Sequence, residues 1–193
     1  MRYDDAETLL AHAARLVVDE GLPWRDAKRK AARAHGTRAE LPSDEALEAA
    51  IREHLAIFEA DTQPAELRHL RELALVWMHR LAEFHPYLSG AVWRGTANRL
   101  SCPRIDLYAD DPKMVEIAFL NQGWSFDSQG GERGEPWVLS VLTRSRLWPD
   151  GVTLHFVVHD RDAVRGALQP DSQGRSWRGD ALALERLLAQ EAA

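Results

Sequence analysis

The feature that most constrains this chain is a change of hydrophobic period near His85-Pro86. Apolar residues repeat at helical spacing before it and alternate at strand spacing after it. Upstream, Leu9, Leu10, Ala13, Leu16 and Val17 form one helical stripe, which Asp4 or Asp5 can cap and which Gly21 and Pro23 end. A second helix is expected from Trp24 to His35, closed by Gly36. Ser43, with Asp44 and Glu45 in the first turn, starts a third, whose stripe is Leu47, Ile51, Leu55 and Phe58. The longest helix follows Asp61-Thr62-Gln63-Pro64 and runs to about Phe84, with Leu67, Leu70, Leu73, Ala74, Trp77, Met78 and Leu81 on its buried side.

Downstream, Tyr87 to Val92, Arg104 to Tyr108, Trp137 to Thr143 and Val152 to Val158 read as strands. Asp111, with Pro112 at the first helical position, caps a helix to Asn121 that stops at Gly123. Asp127 to Gly134 and Pro170 to Gly179 read as loops, and Asp180 to Gln190 as a final helix. The expected class is therefore α+β: a helical N-terminal region, residues 1–62, packed on a small mixed sheet within residues 63–193.

A chain of 193 residues can bury a real core. Its net charge of −6 argues against a surface coated for nonspecific nucleic-acid binding, and leaves only a local patch to consider. That patch lies on the Trp24–His35 helix. There Lys28, Arg29, Lys30 and Arg33 can meet a phosphate backbone as the second helix of a helix-turn-helix, or form a solvated face whose Ala27, Ala31 and Ala34 pack inward. The single cysteine, Cys102, excludes an internal disulfide and a cysteine-rich zinc site. MRYDDAETLL is acidic where a signal peptide is basic, and no apolar run reaches membrane-spanning length, so a cytoplasmic protein without a membrane partner is expected.

Chemistry concentrates between Ser89 and Tyr108, SGAVWRGTANRLSCPRIDLY. A glycine-bearing turn can offer backbone N–H groups to phosphate oxygens, and the strand after it can aim side chains at the same place. With Ile105 and Leu107 in the core, strand parity puts Cys102, Arg104, Asp106 and Tyr108 together on the other face. The plainer reading of that face is a half-buried strand with an Arg–Asp surface pair. Asp110-Asp111 before Pro112 reads as helix capping. His155 and His159, at strand spacing without a carboxylate between them, read as exposed or hydrogen-bonded histidines rather than a metal pair. Trp177-Arg178-Gly179 echoes Trp93-Arg94-Gly95, but nothing around it repeats and the echo is read as chance.

Gly90-Ala91, Arg94-Gly95 and Ser101, in that order before a strand, resemble the nucleotidyltransferase superfamily, and especially its minimal members. The resemblance covers about Leu67 to Val158 and implies a small mixed sheet. It also implies a nucleotide held at Gly90, Ala91, Arg94, Gly95, Ser101 and Arg104, and magnesium held by an Asp-x-Asp pair. That pair is degraded here. Ala91 replaces the family's serine, and an ungapped count from Ser101 puts Cys102 and Arg104 at the carboxylate positions; a two-residue slip instead puts Arg104 first and Asp106 second.

Three functions remain open on the sequence. The first is a catalytically degenerate nucleotidyltransferase-fold protein that binds a nucleotide, an RNA or a protein partner through the Gly90 turn. The second is an active enzyme, transferring AMP or another nucleotidyl group, that holds magnesium with Asp106 and Asp110. The third is a nucleic-acid-binding or regulatory module built on the basic helix.

Overall fold

A computed structural model describes residues 2–36, 41–130, 136–166 and 170–191, the side chains of residues 2–5, 165 and 166 excepted. Among the described residues the class is α+β, with helices first and one mixed sheet after. The chain divides into two compact units, residues 1–67 with 96–101, and residues 68–95 with 102–193.

The first unit is helical: α1 (Arg2–Glu20), α2 (Trp24–Ala34), α3 (Asp44–Phe58) and the first turn of α4 (Gln63–Arg80). Leu9, Ala13, Leu16, Ala27, Ala31, Leu47, Ile51 and Leu55 form its core, so burial of apolar stripes holds these helices together. Ser43 caps α3 by accepting the Ala46 N–H at 3.1 Å. Backbone already helical at Arg2 removes Asp4 and Asp5 as caps; their side chains, and residues 131–134 of the expected Gly-rich loop, lie outside what is described. Two stripe assignments also change. Ala32 is buried where Ala34 was expected, and Phe58 points to solvent at 70% exposure, because the core side of α3 ends at Leu55. Residues 96–101 are tied into this unit through Asn98. Its Nδ2 donates to the Val18 carbonyl at 3.0 Å, while Gln63 Nε2 donates to the Ala97 carbonyl at 2.8 Å.

The second unit takes the rest of α4, a 3-10 turn at Ala82–Phe84, and a six-stranded sheet with helices α5 (Gly90–Arg94), α6 (Pro112–Asn121) and α7 (Ala181–Gln190). Its strands are β1 (Tyr87–Ser89), β2 (Arg104–Ala109), β3 (Asp127–Gln129), β4 (Trp137–Thr143), β5 (Val152–Asp160) and β6 (Arg178–Gly179), in the order β3-β4-β5-β2-β1-β6. Only β2 and β5 run parallel. One face is apolar: Ile105, Leu107, Leu139, Val141, Leu154 and Phe156 are buried there, and Phe156 packs 5.2 Å from Phe119 of α6 and 5.4 Å from Trp77 of α4. Asp111 caps α6 by accepting the Lys113 N–H at 2.9 Å.

The strand expected over Tyr87 to Val92 is cut short. Gly90 turns at φ +69°, and the next residues wind into α5 despite their strand-favouring side chains. Buried Arg71 holds that helix, donating to the carbonyls of Val92 and Trp93 at 3.0 Å each. The start of the expected loop Asp127 to Gly134 is instead strand β3, which pairs antiparallel with β4. Within the expected loop Pro170 to Gly179, Arg178 and Gly179 pair with Ser89 and Leu88 as an edge strand.

Candidate functional site

The other face of the sheet is polar, and strand register determines which side chains meet on it. β2 places Arg104, Asp106 and Tyr108 there. Ser89 and His155 stand beside Arg104, Tyr87 and Val157 beside Asp106, and His159 beside Tyr108. Further out, Ser140 of β4 stands beside His155, and Arg178 of β6 beside Ser89. Cys102 precedes the strand and is not part of this row.

Asp106 is the centre, 1% exposed. His159 Nε2 lies 3.1 Å from Oδ1, Arg104 Nε 3.4 Å from the same oxygen, and Arg178 Nη1 3.3 Å from Oδ2. Burial pushes this carboxyl up, but the His159 hydrogen bond and the charges of Arg104 and Arg178 outweigh it, leaving the group below its ordinary value. Arg178 also donates to the Tyr108 hydroxyl at 2.7 Å, while its buried Nε has no hydrogen-bond partner among the described residues. Burial raises the Tyr108 phenol and keeps it protonated, and its ring stacks on His159 at 5.4 Å. His155 Nδ1 lies 2.9 Å from Ser140 Oγ; burial and then the charge of Arg104 lower its pKa, so it is neutral near pH 7. Two guanidinium groups thus surround one carboxylate, and the cluster is positive before either histidine is counted.

Arg178 is held in place by an interlock of the two Trp-Arg-Gly tripeptides. The Trp93 ring lies over Gly179, leaving no room for a Cβ, and its Nε1–H donates to the Ser176 carbonyl at 2.9 Å. Arg94 stacks on Trp177 at 4.3 Å and pairs with the buried carboxylate of Asp171 at 2.8 Å. Burial pushes Asp171 up, but the Arg94 hydrogen bond, the N–H groups of Arg175 and Gln173 and the Arg175 charge hold it well below its usual range. Arg94 is therefore spent inside the fold, where it anchors residues 171–177.

The other sequence candidates are scattered. Gly90 and Ala91 open α5, and Gly95 ends it at φ +80°. Ser101 lies in the first unit, where its hydroxyl accepts the Asn98 N–H at 3.1 Å. The strand stops at Ala109, and Asp110, exposed beyond it, pairs with Arg161 at 3.2 Å. Its carboxylate and that of Asp106 thus have different partners, and among the described residues no three His, Cys, Asp or Glu side chains group to hold a metal. On α2, Lys28 pairs with Asp44 at 2.7 Å and Lys30 with Glu20 at 2.6 Å, while Arg29 and Arg33 are exposed. Sequence reasoning put Tyr108 on this face and read His159 as an exposed or hydrogen-bonded histidine, but it passed over Arg178 and Asp171; the doubled Trp-Arg-Gly was a signal that pointed to Arg178, and none pointed to Asp171.

What these features define is an α+β protein whose mixed sheet carries a cationic cluster on its polar face. No family model matches the chain, and no curated protein does. Among solved structures, the poly(U) polymerase Cid1 with the UTP analogue UMPNPP aligns with 59% of this chain and 36% of its own, at 10% identity and a TM-score of 0.36. A cytoplasmic RNA terminal U-transferase aligns with 65% of this chain and 33% of its own, at 15% identity and a TM-score of 0.30. The chain spans about a third of the length of those proteins. The likeness is faint and says nothing of activity.

Proposed function

We propose that this is a nucleotidyltransferase-fold protein, without turnover, that binds a nucleotide through its phosphates on the polar face of the sheet. The observation that carries this reading is the state of the two strand positions that the family resemblance, taken with the two-residue slip, implies for metal-binding carboxylates. Arg104 occupies one, and Asp106 at the other is already bound by Arg104, Arg178 and His159.

A magnesium ion does not fit this donor set. It needs several oxygen ligands around a nearly ideal octahedron, and here one carboxylate is enclosed by two cations that would repel the ion. A phosphate does fit. Arg104 is 52% exposed and holds Asp106 only loosely, so its fork can turn to a phosphate oxygen, while Arg178 and the Tyr108 hydroxyl stay close by.

The test is calorimetric titration with ATP, GTP, CTP and UTP, with and without magnesium. Binding is expected without the metal and is expected to vanish in Arg104→Glu, whose melting temperature stays near the parent's because the side chain is half exposed. Binding that requires magnesium, or that survives Arg104→Glu, overturns the reading. Binding only to RNA, lost when Arg29 and Arg33 are replaced, would move the function to α2.

A further inference from the structure

Two histidines face each other across the helical hairpin of the first unit. Gly21 to Pro23 turns the chain between α1 and α2, so half-buried His12 of α1 comes opposite His35, the exposed residue that caps the end of α2. His12 Nδ1 lies 3.3 Å from His35 Nε2, with the ring centres 5.3 Å apart and the ring planes at 75°. Both residues belong to the same compact unit, and the polar face of the sheet uses neither.

We propose that this pair is a zinc site, with the ion bound by His12 Nδ1 and His35 Nε2 and water completing its shell. Zinc takes imidazole nitrogen at about 2.0–2.1 Å and favours a tetrahedron, so two of its nitrogen ligands stand about 3.3 Å apart. The two ring nitrogens already have that separation. For a hydrogen bond between the rings it is long, outside the range of about 2.7–3.2 Å for N–H donors to oxygen. The two readings differ in where a hydrogen sits. In an N–H···N bond it lies between the rings, whereas zinc needs it on the far nitrogen of the donor ring. That is a change of tautomer, and neutral rings release no proton in making it.

The surroundings favour an ion here. His35 caps the C-terminal end of α2, the negative end of the helix dipole, where a cation is stabilised. A ligating imidazole has to be neutral. Burial, then the charges of His35 and Arg15, push His12 below its ordinary value; Glu20 pulls it up and Lys30 adds to the fall. Arg15 is exposed and Lys30 is paired with Glu20 at 2.6 Å, which blunts the repulsion of either cation for the ion. Two side chains make an open site, weaker than a closed structural one, and no group of three candidate ligands is present among the described residues. Its effect is that of a clip: the ion joins residues 23 apart in sequence and holds the end of α2 against α1. Magnesium and manganese, which prefer oxygen donors, do not suit the pair.

The test is a zinc titration of the chelator-treated full chain, followed by thermal melting and by proton–nitrogen correlation spectra of the histidine rings. Zinc should raise the melting temperature by a few degrees. It should also shift the His12 Nδ1 and His35 Nε2 resonances and leave the ring hydrogens on His12 Nε2 and His35 Nδ1. His35→Gln, at an exposed position, should keep the metal-free melt close to the parent's and lose both zinc effects, and His12→Gln should lose them too. Magnesium and manganese should produce neither effect. A melt indifferent to zinc, a zinc effect that survives His35→Gln, or ligation through the other ring nitrogens each overturns the proposal. So does zinc that only links two molecules, seen as a doubled mass in sedimentation.

Discussion

Gly179→Ala tests whether the tripeptide interlock positions Arg178. A Cβ built at Gly179 falls 2.6 Å from Trp93 Cζ2 and closer still to Cη2 and Cζ3, where carbon atoms need about 3.5–4.0 Å. The clash is with a rigid ring rather than the tip of a flexible chain. The indole is fixed by its bond to the Ser176 carbonyl, and Gly179 by its pairing with Leu88. Either the ring swings out and gives up a hydrogen bond worth about 1 kcal/mol, or β6 lifts from the sheet. Overpacking of this kind costs about 1–3 kcal/mol. For a chain of this length each kcal/mol lowers the melting temperature by roughly 2–4 °C, so a fall of about 2–12 °C is expected. If β6 lifts, Arg178 leaves Tyr108 and Asp106, and phosphate binding should fall by as much as Arg178→Ala is expected to lower it. Trp93→Leu in the same chain makes room and should recover most of both losses, a coupling that a double-mutant cycle measures. A Gly179→Ala variant within 0.5 kcal/mol of the parent in urea unfolding, roughly the scatter of a neutral surface change, would refute the interlock.

Two further outcomes follow from named contacts. Asp106 has its carboxyl below the ordinary value of 3.8, so its stabilising contribution is full above that pH and is lost as pH falls through the depressed folded value. Urea unfolding should therefore show parent and Asp106→Asn well separated at pH 7 and converging below about pH 4; a constant gap would refute the ionic account. Gly151 sits at φ +79° with the Thr143 carbonyl oxygen 2.5 Å from where a Cβ would be. Gly151→Ala should cost at least the roughly 1–2 kcal/mol of a left-handed non-glycine residue, read as a lower melting temperature with faster amide exchange in β4 and β5.

The parts of this fold legible in the sequence are those governed by local pattern. The alternation of Arg104 to Tyr108 fixed which side chains share a face because period 2 leaves no other choice, and Asp111 before Pro112 fixed the start of α6. What was hidden depends on contacts far along the chain. Val92 and Trp93 favour strands, yet Arg71, about twenty residues upstream, fixes them in a helix by taking their carbonyls. β6 is two residues long and has no period to read; its Arg178 reaches Tyr108 across 70 residues of sequence. Arg94 matched a nucleotide-binding pattern, but its guanidinium is paired with Asp171, 77 residues away.

The sign of charge on the polar face gives the sharpest separation between a phosphate site and a metal site, and Arg104→Asp is the substitution that probes it. It puts a second carboxylate on the same strand face, two residues from Asp106, and removes the more exposed of the two arginines. If the face binds phosphate through its cations, metal-free nucleotide binding should disappear. No magnesium dependence should replace it, because Arg178 and His159 still hold both oxygens of Asp106. Adding Arg178→Ala frees Oδ2 and removes the remaining guanidinium, so two carboxylates then converge without a competing cation. Only in that double variant should manganese bind, seen as broadening of resonances near Asp106 or loss of the free-ion electron paramagnetic signal. Manganese binding by the unaltered chain would mean that Asp106 exchanges its arginine for a metal ion, and the cationic reading of the face would fall.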